Sequence, residues 1–419
     1  MKTRLALILI AGAAAAQTPT FTKDIAPILN KNCMVCHRAG DIAPMSLMSY
    51  EEVRPWAKSI KAQVGTGKMP PWHATEPRGT FSNDRRLTDR EKETLIAWVD
   101  RGAPKGDLKD LPPSPTFTPG WEIGKPDVVI SMQAPYAVPA SGKVDYQYFR
   151  IPTNFTEDKW VQSIEVRPGV RSVVHHVLVF CREPEGEIAR PPFTPVVPKM
   201  PAVGTSNVDK SRGALIATTA PGTNAMTFPE GTALRIKAGS ILMFQVHYTA
   251  NGKPTEDISS VGMIFAKGPP KQEMRTSAFM NPMFTLPPGD PDKEVDSAIE
   301  FTEDTHLYAI FPHTHLRGKD WSYQVVYPDG RKEQVLSVPH YDFNWQTFYT
   351  FTKPLAVPKG ARLEAVAHYD NSENNPSNPD PKAAVHWGDQ TWQEMQYTGL
   401  TFTVDQKSAS QPSGGSNNR

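Results

Sequence analysis

Cys33-Met34-Val35-Cys36-His37 places two thiols and an imidazole within one turn of chain. Thiols at that spacing can add across the two vinyl groups of a haem, and the adjoining imidazole can take one axial position on its iron. A redox dithiol shares the Cys-x-x-Cys spacing but has no need of the histidine. The motif therefore predicts one covalently bound haem c, attached through Cys33 and Cys36 with His37 as axial ligand. The other axial ligand is expected from Met69, in Gly67-Lys68-Met69-Pro70-Pro71-Trp72. A thioether in a proline-bounded loop suits a low-spin, electron-transferring iron. Met45, Met48 and His73 are the alternatives.

The chain has 11 histidines, and beyond this segment they form a second set: His175-His176, His247, His306, His313-x-His315, His340, His368 and His386. Imidazole is the commonest metal ligand. On a strand, His313 and His315 point to one face, so their rings can chelate one ion. Adjacent residues such as His175 and His176 face opposite ways on a regular strand. They reach one ion only through a bulge or a change of strand direction; otherwise one is a core and one a surface histidine. His247 lies in the apolar alternating run Phe244-Gln245-Val246-His247-Tyr248-Thr249, where a lone histidine reads as a satisfied core or edge residue. Cys181 has no visible partner and reads as a small buried residue. His306, His340, His368 and His386 have no assigned ligand role. Asp342 to Gln346 read as a structural turn and strand, and Arg317 and Lys319 as solvated.

The elements that hold these residues divide the chain of 419 residues. A basic start, the apolar run Leu5–Ile10 and small residues up to Ala16 predict a secretory leader over 1–16. Phe21, Ile25, Ile28 and Leu29 fall at helical spacing. Thr88 and Glu91 form a capping-box pattern that opens a second helix with Leu95, Ile96, Trp98 and Val99 on its buried face, stopped at Gly102. A small all-α domain is expected over 17–106 and a proline-rich linker over 107–120. From Trp121 onward, short runs rich in Val, Ile, Tyr and Phe alternate with Gly, Pro, Asp and Asn, the pattern of all-β sandwiches. Two such domains are expected, 121–275 and 276–406, followed by a disordered tail over 407–419. The 41 prolines agree with a turn-rich β architecture. The net charge of +1 gives no electrostatic case for nucleic acid or an anionic membrane. The apolar run of the leader is too short to span a bilayer comfortably, so no stable membrane insertion is expected.

Two resemblances follow from these residues. The segment around Cys33–His37, closing with Trp98-Val99-Asp100-Arg101-Gly102-Ala103-Pro104, resembles a small class I-type cytochrome c domain. Ser172-Val173-Val174-His175-His176-Val177-Leu178-Val179-Phe180-Cys181 resembles the first copper motif of the copper type II, ascorbate-dependent monooxygenases, the family that includes peptidylglycine α-hydroxylating monooxygenase and dopamine β-monooxygenase. Gln245-Val246-His247-Tyr248 resembles the motif with the third ligand of that copper. Pro312-His313-Thr314-His315-Leu316-Arg317-Gly318-Lys319 resembles the His-x-His motif of the second copper, and Trp392-Gln393-Glu394-Met395 the segment with its methionine. The four motifs stand in family order.

The resemblance implies two β-sandwich, jelly-roll-like domains facing each other across a cleft. His175, His176 and His247 would bind an electron-transfer copper. His313, His315 and Met395 would bind the copper where O₂ reacts. The chain departs from the animal enzymes in lacking their several disulfides. Phe311 stands where peptidylglycine hydroxylase has the arginine that anchors the substrate carboxylate, and Tyr397 and Gly399 replace the Asn and Tyr that follow the copper methionine. The peptide-glycine pocket therefore does not carry over. The expected protein is a periplasmic or secreted haem c and two-copper monooxygenase that hydroxylates a small organic or peptide-like substrate with O₂. An external donor would feed the haem domain, which supplies electrons. The alternatives are an electron-transfer or copper-binding protein without hydroxylase activity, and a metal-free glycan- or peptide-binding protein.

Overall fold

The computed structural model describes residues 18–38, 43–115, 120–184, 191–196, 213–220 and 225–405. The expected leader over 1–16 and tail over 407–419 lie outside these residues, as do residues 116–119 of the expected linker.

The chain forms two compact units, one of residues 1–72 and 85–116, the other of residues 73–84 and 117–419. Strands make up 40 % of the structure and helix 12 %. The expected small all-α cytochrome c domain ahead of two β sandwiches is therefore corrected: no sizable all-α domain is evident among the described residues. The first unit carries short helices at Ala26–Asn32, Tyr50–Val53, Ala57–Gly65 and Asp89–Asp100. Their brevity follows from the chain. Pro55 falls between the second and third, and Gly65 with Gly67 ends the third. Residues 73–84 leave the unit altogether.

The longest helix forms as its sequence dictates. Thr88 caps the N-terminus and Glu91 closes the capping box, each bonding the other's backbone. Gly102, at φ +87°, supplies the left-handed residue just past its end. Leu95 and Trp98 are fully buried, and Trp98 lies 6.3 Å from Phe21 between ring centroids.

The second unit is built of strands. The largest sheet has nine. Its path runs Val128–Ser131, Ser260–Phe265, Lys159–Arg167, Thr232–Ile236, Gln272–Met280, Tyr397–Val404, Thr305–His313 and Tyr349–Val357, with Ala225–Thr227 paired to Lys159–Arg167. Gln272–Met280 pairs in parallel with Thr232–Ile236 and antiparallel with Tyr397–Val404, so one sheet joins the earlier and later parts of the β region. A four-stranded sheet orders Gln147–Pro152, Ile241–Tyr248, Val174–Arg182 and Ala214–Thr219. A five-stranded sheet orders Lys332–Val338, Gly318–Val326, Arg362–Tyr369, Lys293–Phe301 and Phe193–Val196, again mixing early and late segments.

Side-chain alternation sorts the four-stranded sheet into two faces. Val177, Val179, Leu242, Phe244, Val246 and Tyr248 enter a core shared with Val161, Ile164 and Val166 of the large sheet. The opposite face sends Leu178 and Leu215 into a second cluster with Ala309, Phe311 and Phe348. His176 and His247 have the parity of that second face, and His313 has the parity of Ala309 and Phe311. Period two thus aims histidines from both parts of the β region at one place.

Residues 75–83 form a strap, with residues 80–83 along the edge strand Tyr349–Val357 of the large sheet and Thr75 on the edge strand Lys332–Val338 of the five-stranded sheet. The Ser82 N–H donates to the Thr350 carbonyl at 2.8 Å, and Thr352 N–H donates to Thr80 at 2.9 Å. Asn83 donates through Nδ2 to the Phe348 carbonyl (2.6 Å) and accepts the Thr350 N–H through Oδ1 (3.2 Å). Thr75 N–H reaches the Ser337 carbonyl at 3.1 Å. Phe81, buried, packs on Tyr349 and Phe351 at 5.6 and 5.2 Å. The strap satisfies backbone groups that an open sheet edge leaves unpaired.

Candidate metal centres

His176 pairs with His247 across the antiparallel ladder, while the next pair is Val174 with Tyr248. The register shifts there and His175 has no partner across the ladder. Such an irregularity lets two adjacent histidines turn toward one point. The result is a three-histidine group: one ring nitrogen each of His175, His176 and His247 lie within 4.8 Å of one another. His175 Nδ1 is 3.2 Å from His176 Nδ1, and His247 Nδ1 is buried without a hydrogen-bond partner among the described residues. Burial lowers the pKa of all three. His176 falls well below its ordinary value, helped by its histidine neighbours, and His247 is pushed down to about 3 by burial and His175. Neutral imidazoles with free nitrogens are what a metal ion requires of such ligands. Tyr146 walls the group, its ring 4.8 Å from His247 and 5.4 Å from His176.

His313 ends its strand and His315 follows two residues later, their rings 5.2 Å apart. Each ring is oriented through Nδ1. His313 donates to Gln346 Oε1 at 3.0 Å, and His315 donates to the Gln393 carbonyl at 3.1 Å. Nε2 is then the ring nitrogen left for a metal, and His315 Nε2 is buried without a hydrogen-bond partner among the described residues. Metal-binding histidines are held in this way by acceptors behind them. Burial pushes His313 down to about 4 and takes His315 well below its ordinary value.

Met395 comes just before strand Tyr397–Val404, whose Tyr397 pairs with His313. Continuing that antiparallel register brings Met395 level with His315. Glu394, fully buried, fixes this relation. Its Oε2 accepts the N–H of His315 (2.8 Å) and of Met395 (3.1 Å), and its Oε1 accepts the Arg317 N–H (2.7 Å). The Arg317 side chain is 1 % exposed and bonds Asn371 Oδ1 (2.8 Å) and the Trp392 carbonyl (3.0 Å). The sequence reading of Arg317 as solvated is thus corrected: its guanidinium anchors the segment that carries Met395. A Cβ on Gly318 would lie 1.8 Å from Thr314 Oγ1, so the turn after the His-x-His pair needs a glycine.

Phe311, in the position of the absent arginine, stacks on Phe348 at 4.4 Å and on His313 at 6.0 Å. Gly399 makes the room, since a Cβ there would sit 3.3 Å from Phe311 Cβ. Two of the departures noted in the sequence therefore fit each other. The wall beside His313 is aromatic, completed by Tyr397 at 6.2 Å.

Sequence reasoning missed the residues behind and between the ligands. Phe343, Gln346 and Glu394 all touch the histidines, although residues 342–346 read as a mere structural turn. The only signal is adjacency, Glu394 preceding Met395 and Gln346 closing a polar–aromatic turn.

In the first unit, Cys36 N–H and His37 N–H both donate to the Cys33 carbonyl (3.1 and 2.9 Å), so the motif forms one tight turn. His37 Nδ1 is 3.2 Å from the Met45 carbonyl, a contact that fixes the orientation of the ring. Cys33 and Cys36 are not joined in a disulfide, and burial pushes the Cys33 thiol up to about 12. Met69 lies half-buried beyond helix Ala57–Gly65, its N–H on the Gln63 carbonyl. Cys181 is buried in the core of the four-stranded sheet. No helix among the described residues is long and apolar enough to cross a membrane.

Comparison with curated proteins finds no match. Among solved structures, the major capsid protein P2 of bacteriophage PM2 is 10 % identical, covering 66 % of this chain and 97 % of its own, with a TM-score of 0.28. Allantoicase is 9 % identical over 56 % of this chain and 78 % of its own, with a TM-score of 0.17. Infectious bursal disease virus, Gx strain, is 8 % identical over 67 % of this chain and 73 % of its own, with a TM-score of 0.20. Similarity this low carries no argument. The family comparison is specific: residues 277–395, which hold His313, His315, Gln346, Glu394 and Met395, match the copper type II ascorbate-dependent monooxygenase, C-terminal domain.

Proposed function

We propose that the protein is an exported copper monooxygenase that hydroxylates a small organic substrate with O₂ and receives its electrons through a covalently bound haem c. The observation that carries the reading is the pair of histidine groups with buried, unpartnered ring nitrogens, His247 Nδ1 in one and His315 Nε2 in the other. The family match over 277–395 supports copper as the metal. His175, His176 and His247 would hold one copper, and His313, His315 and Met395 the other. Copper at such sites supplies one-electron redox chemistry, and a thioether ligand favours the Cu(I) form.

The protein's own residues prepare these sites. Gln346 and the Gln393 carbonyl keep the Nδ1 protons of His313 and His315 turned away from the metal. Glu394 ties the Met395 backbone to that of His315. Phe311, Phe348 and Tyr397 line the neighbourhood of His313 with apolar surface, which suits an uncharged organic group. One oxygen atom of O₂ enters the substrate and the other leaves as water. Two electrons and two protons must therefore come from outside the substrate. Cys33, Cys36, His37 and Met69 would hold the haem, which when bound would supply one-electron transfer from an external donor. The leader over 1–16 would take the chain to the periplasm or outside the cell.

The test is metal and haem analysis of the mature protein with reductant-driven O₂ uptake and product analysis. Two coppers and one haem per chain with a hydroxylated product are expected. Retention of haem without about two coppers refutes the copper reading. A second reading, an electron-transfer or copper-binding protein without hydroxylase activity, is favoured by one observation: Phe311 fills the place of a substrate-anchoring arginine. Copper retention with no O₂ use on reduction would establish it.

A further inference from the structure

Phe343 lies among five histidines. Its ring stacks on His175 at 5.4 Å with 21° between planes, and its centroid is 6.4 Å from those of His176 and His247. It is also 6.4 Å from His313 and 5.9 Å from His315. The ring is 8 % exposed. Tyr146 packs against the first group, and Phe311 and Tyr397 against His313. Phe343 makes contact with both.

The turn that carries it is held by its own bonds. Asn344 donates its N–H and its Nδ2 to Asp342 Oδ1, both at 2.9 Å, and Trp345 N–H donates to the Asp342 carbonyl at 2.9 Å. Gln346 Nε2 returns to the Phe343 carbonyl at 3.3 Å while its Oε1 holds His313. The residue that fills the space is therefore fixed by the same turn that orients a ligand.

A benzene ring has no lone pair to offer a metal. It occupies space beside imidazoles of both groups. With the ring removed, donors from both groups would line one common space, and one ion could recruit ligands from each. Two ions could also draw close enough to share a bridging group. We infer that Phe343 is a positioning residue that partitions the five histidines into separate sets of three and two, so that the protein holds two independent copper ions rather than one coupled pair. The inference rests on the copper reading proposed above.

The experiment loads the intact chain with Cu(II) and compares bound copper with the copper visible by electron paramagnetic resonance. The wild type and F343L, which keeps most of the side-chain volume, are expected to show all their bound copper. In F343A, part of the bound copper is expected to lose its signal through spin pairing. F343V, a milder truncation, gives the same reading where F343A does not fold. Truncated variants whose copper stays fully visible, with the wild-type line shape, overturn the partition alone. A wild type that retains fewer than two coppers overturns the copper reading, and the partition with it.

Discussion

Glu394 Oε2 accepts the backbone N–H of His315 at 2.8 Å, across 79 residues of chain. The same carboxylate holds Arg317 and Met395, so one buried side chain sets the spacing between the His-x-His turn and the thioether. Glu394→Ala would strand three buried N–H donors, each costing about 1–3 kcal/mol when unsatisfied. A loss of roughly 3 kcal/mol or more in unfolding free energy is expected, measured by denaturant titration. Glu394→Gln, which keeps one acceptor oxygen, should fall between the two. Both variants should bind Cu(I) more weakly than the wild type.

Gln346 acts behind His313 rather than on the metal. Gln346→Leu removes the acceptor for Nδ1–H and frees the ring to rotate. Loss of such a supporting partner costs about 10–100-fold in metal affinity. Competition with a Cu(I) chelator reads the change directly, and Gln346→Glu, which can still accept, should restore most of it. Equal affinity in the Leu variant would show that the hydrogen bond does not orient the ligand.

The proposed haem would be attached through both thiols. Cys33→Ala and Cys36→Ala should each leave one thiol for linkage and lower the yield of holoprotein. The double variant should carry no haem after denaturation in acid. Mass spectrometry of the intact chain measures the result. His37→Ala should keep the thioether links but shift the haem absorption spectrum.

His368 provides a pH test away from the metal centres. Burial opposes its charge, but Asp320 at 2.7 Å, together with Asp292 and Glu294, outweighs this, and the pKa lies above its ordinary value. The sign follows. The native state holds the proton more tightly than the unfolded state, so the stabilisation is complete below the ordinary value near 6.5 and fades as pH rises through the raised one. The partly exposed pair contributes at most about 1 kcal/mol. In His368→Gln this part of the pH dependence should vanish from unfolding curves.

Phe81 seals the strap to the sheet edge. Phe81→Ala removes a buried ring and should cost about 3–5 kcal/mol. The thermal unfolding of the β unit should shift downward, while the helical unit that holds Cys33 and Cys36 keeps its own unfolding transition.

What the sequence makes legible follows from the range of each signal. Adjacent histidines on an apolar run can reach one ion only through a bulge or a change of strand direction, and the register does shift beside His175. Thr88 and Glu91 announce a helix start because the capping box is local. The breadth of helix in the N-terminal unit is overestimated for the same reason: a cap marks where a helix begins, not how far proline and glycine let it run. Phe343, Gln346 and Glu394 escape because their roles come from partners 28 to 168 residues away, and neither periodicity nor spacing records such contacts. Arg317 reads as solvated because charge alone suggests water, whereas Asn371 and the Trp392 carbonyl replace it.

The strap has a consequence for how the molecule can be taken apart. The chain passes between its two units three times, after Trp72, after Asp84 and after Thr116. The N-terminal unit is thus stitched in rather than strung on. A protease that nicks residues 107–115 severs one stitch, yet the released piece still contains residues 75–83, seated on the sheet edge. The two fragments should co-purify under native conditions and part only when the sheet unfolds. A gene segment starting at Trp121 would encode the sheets without their edge strap.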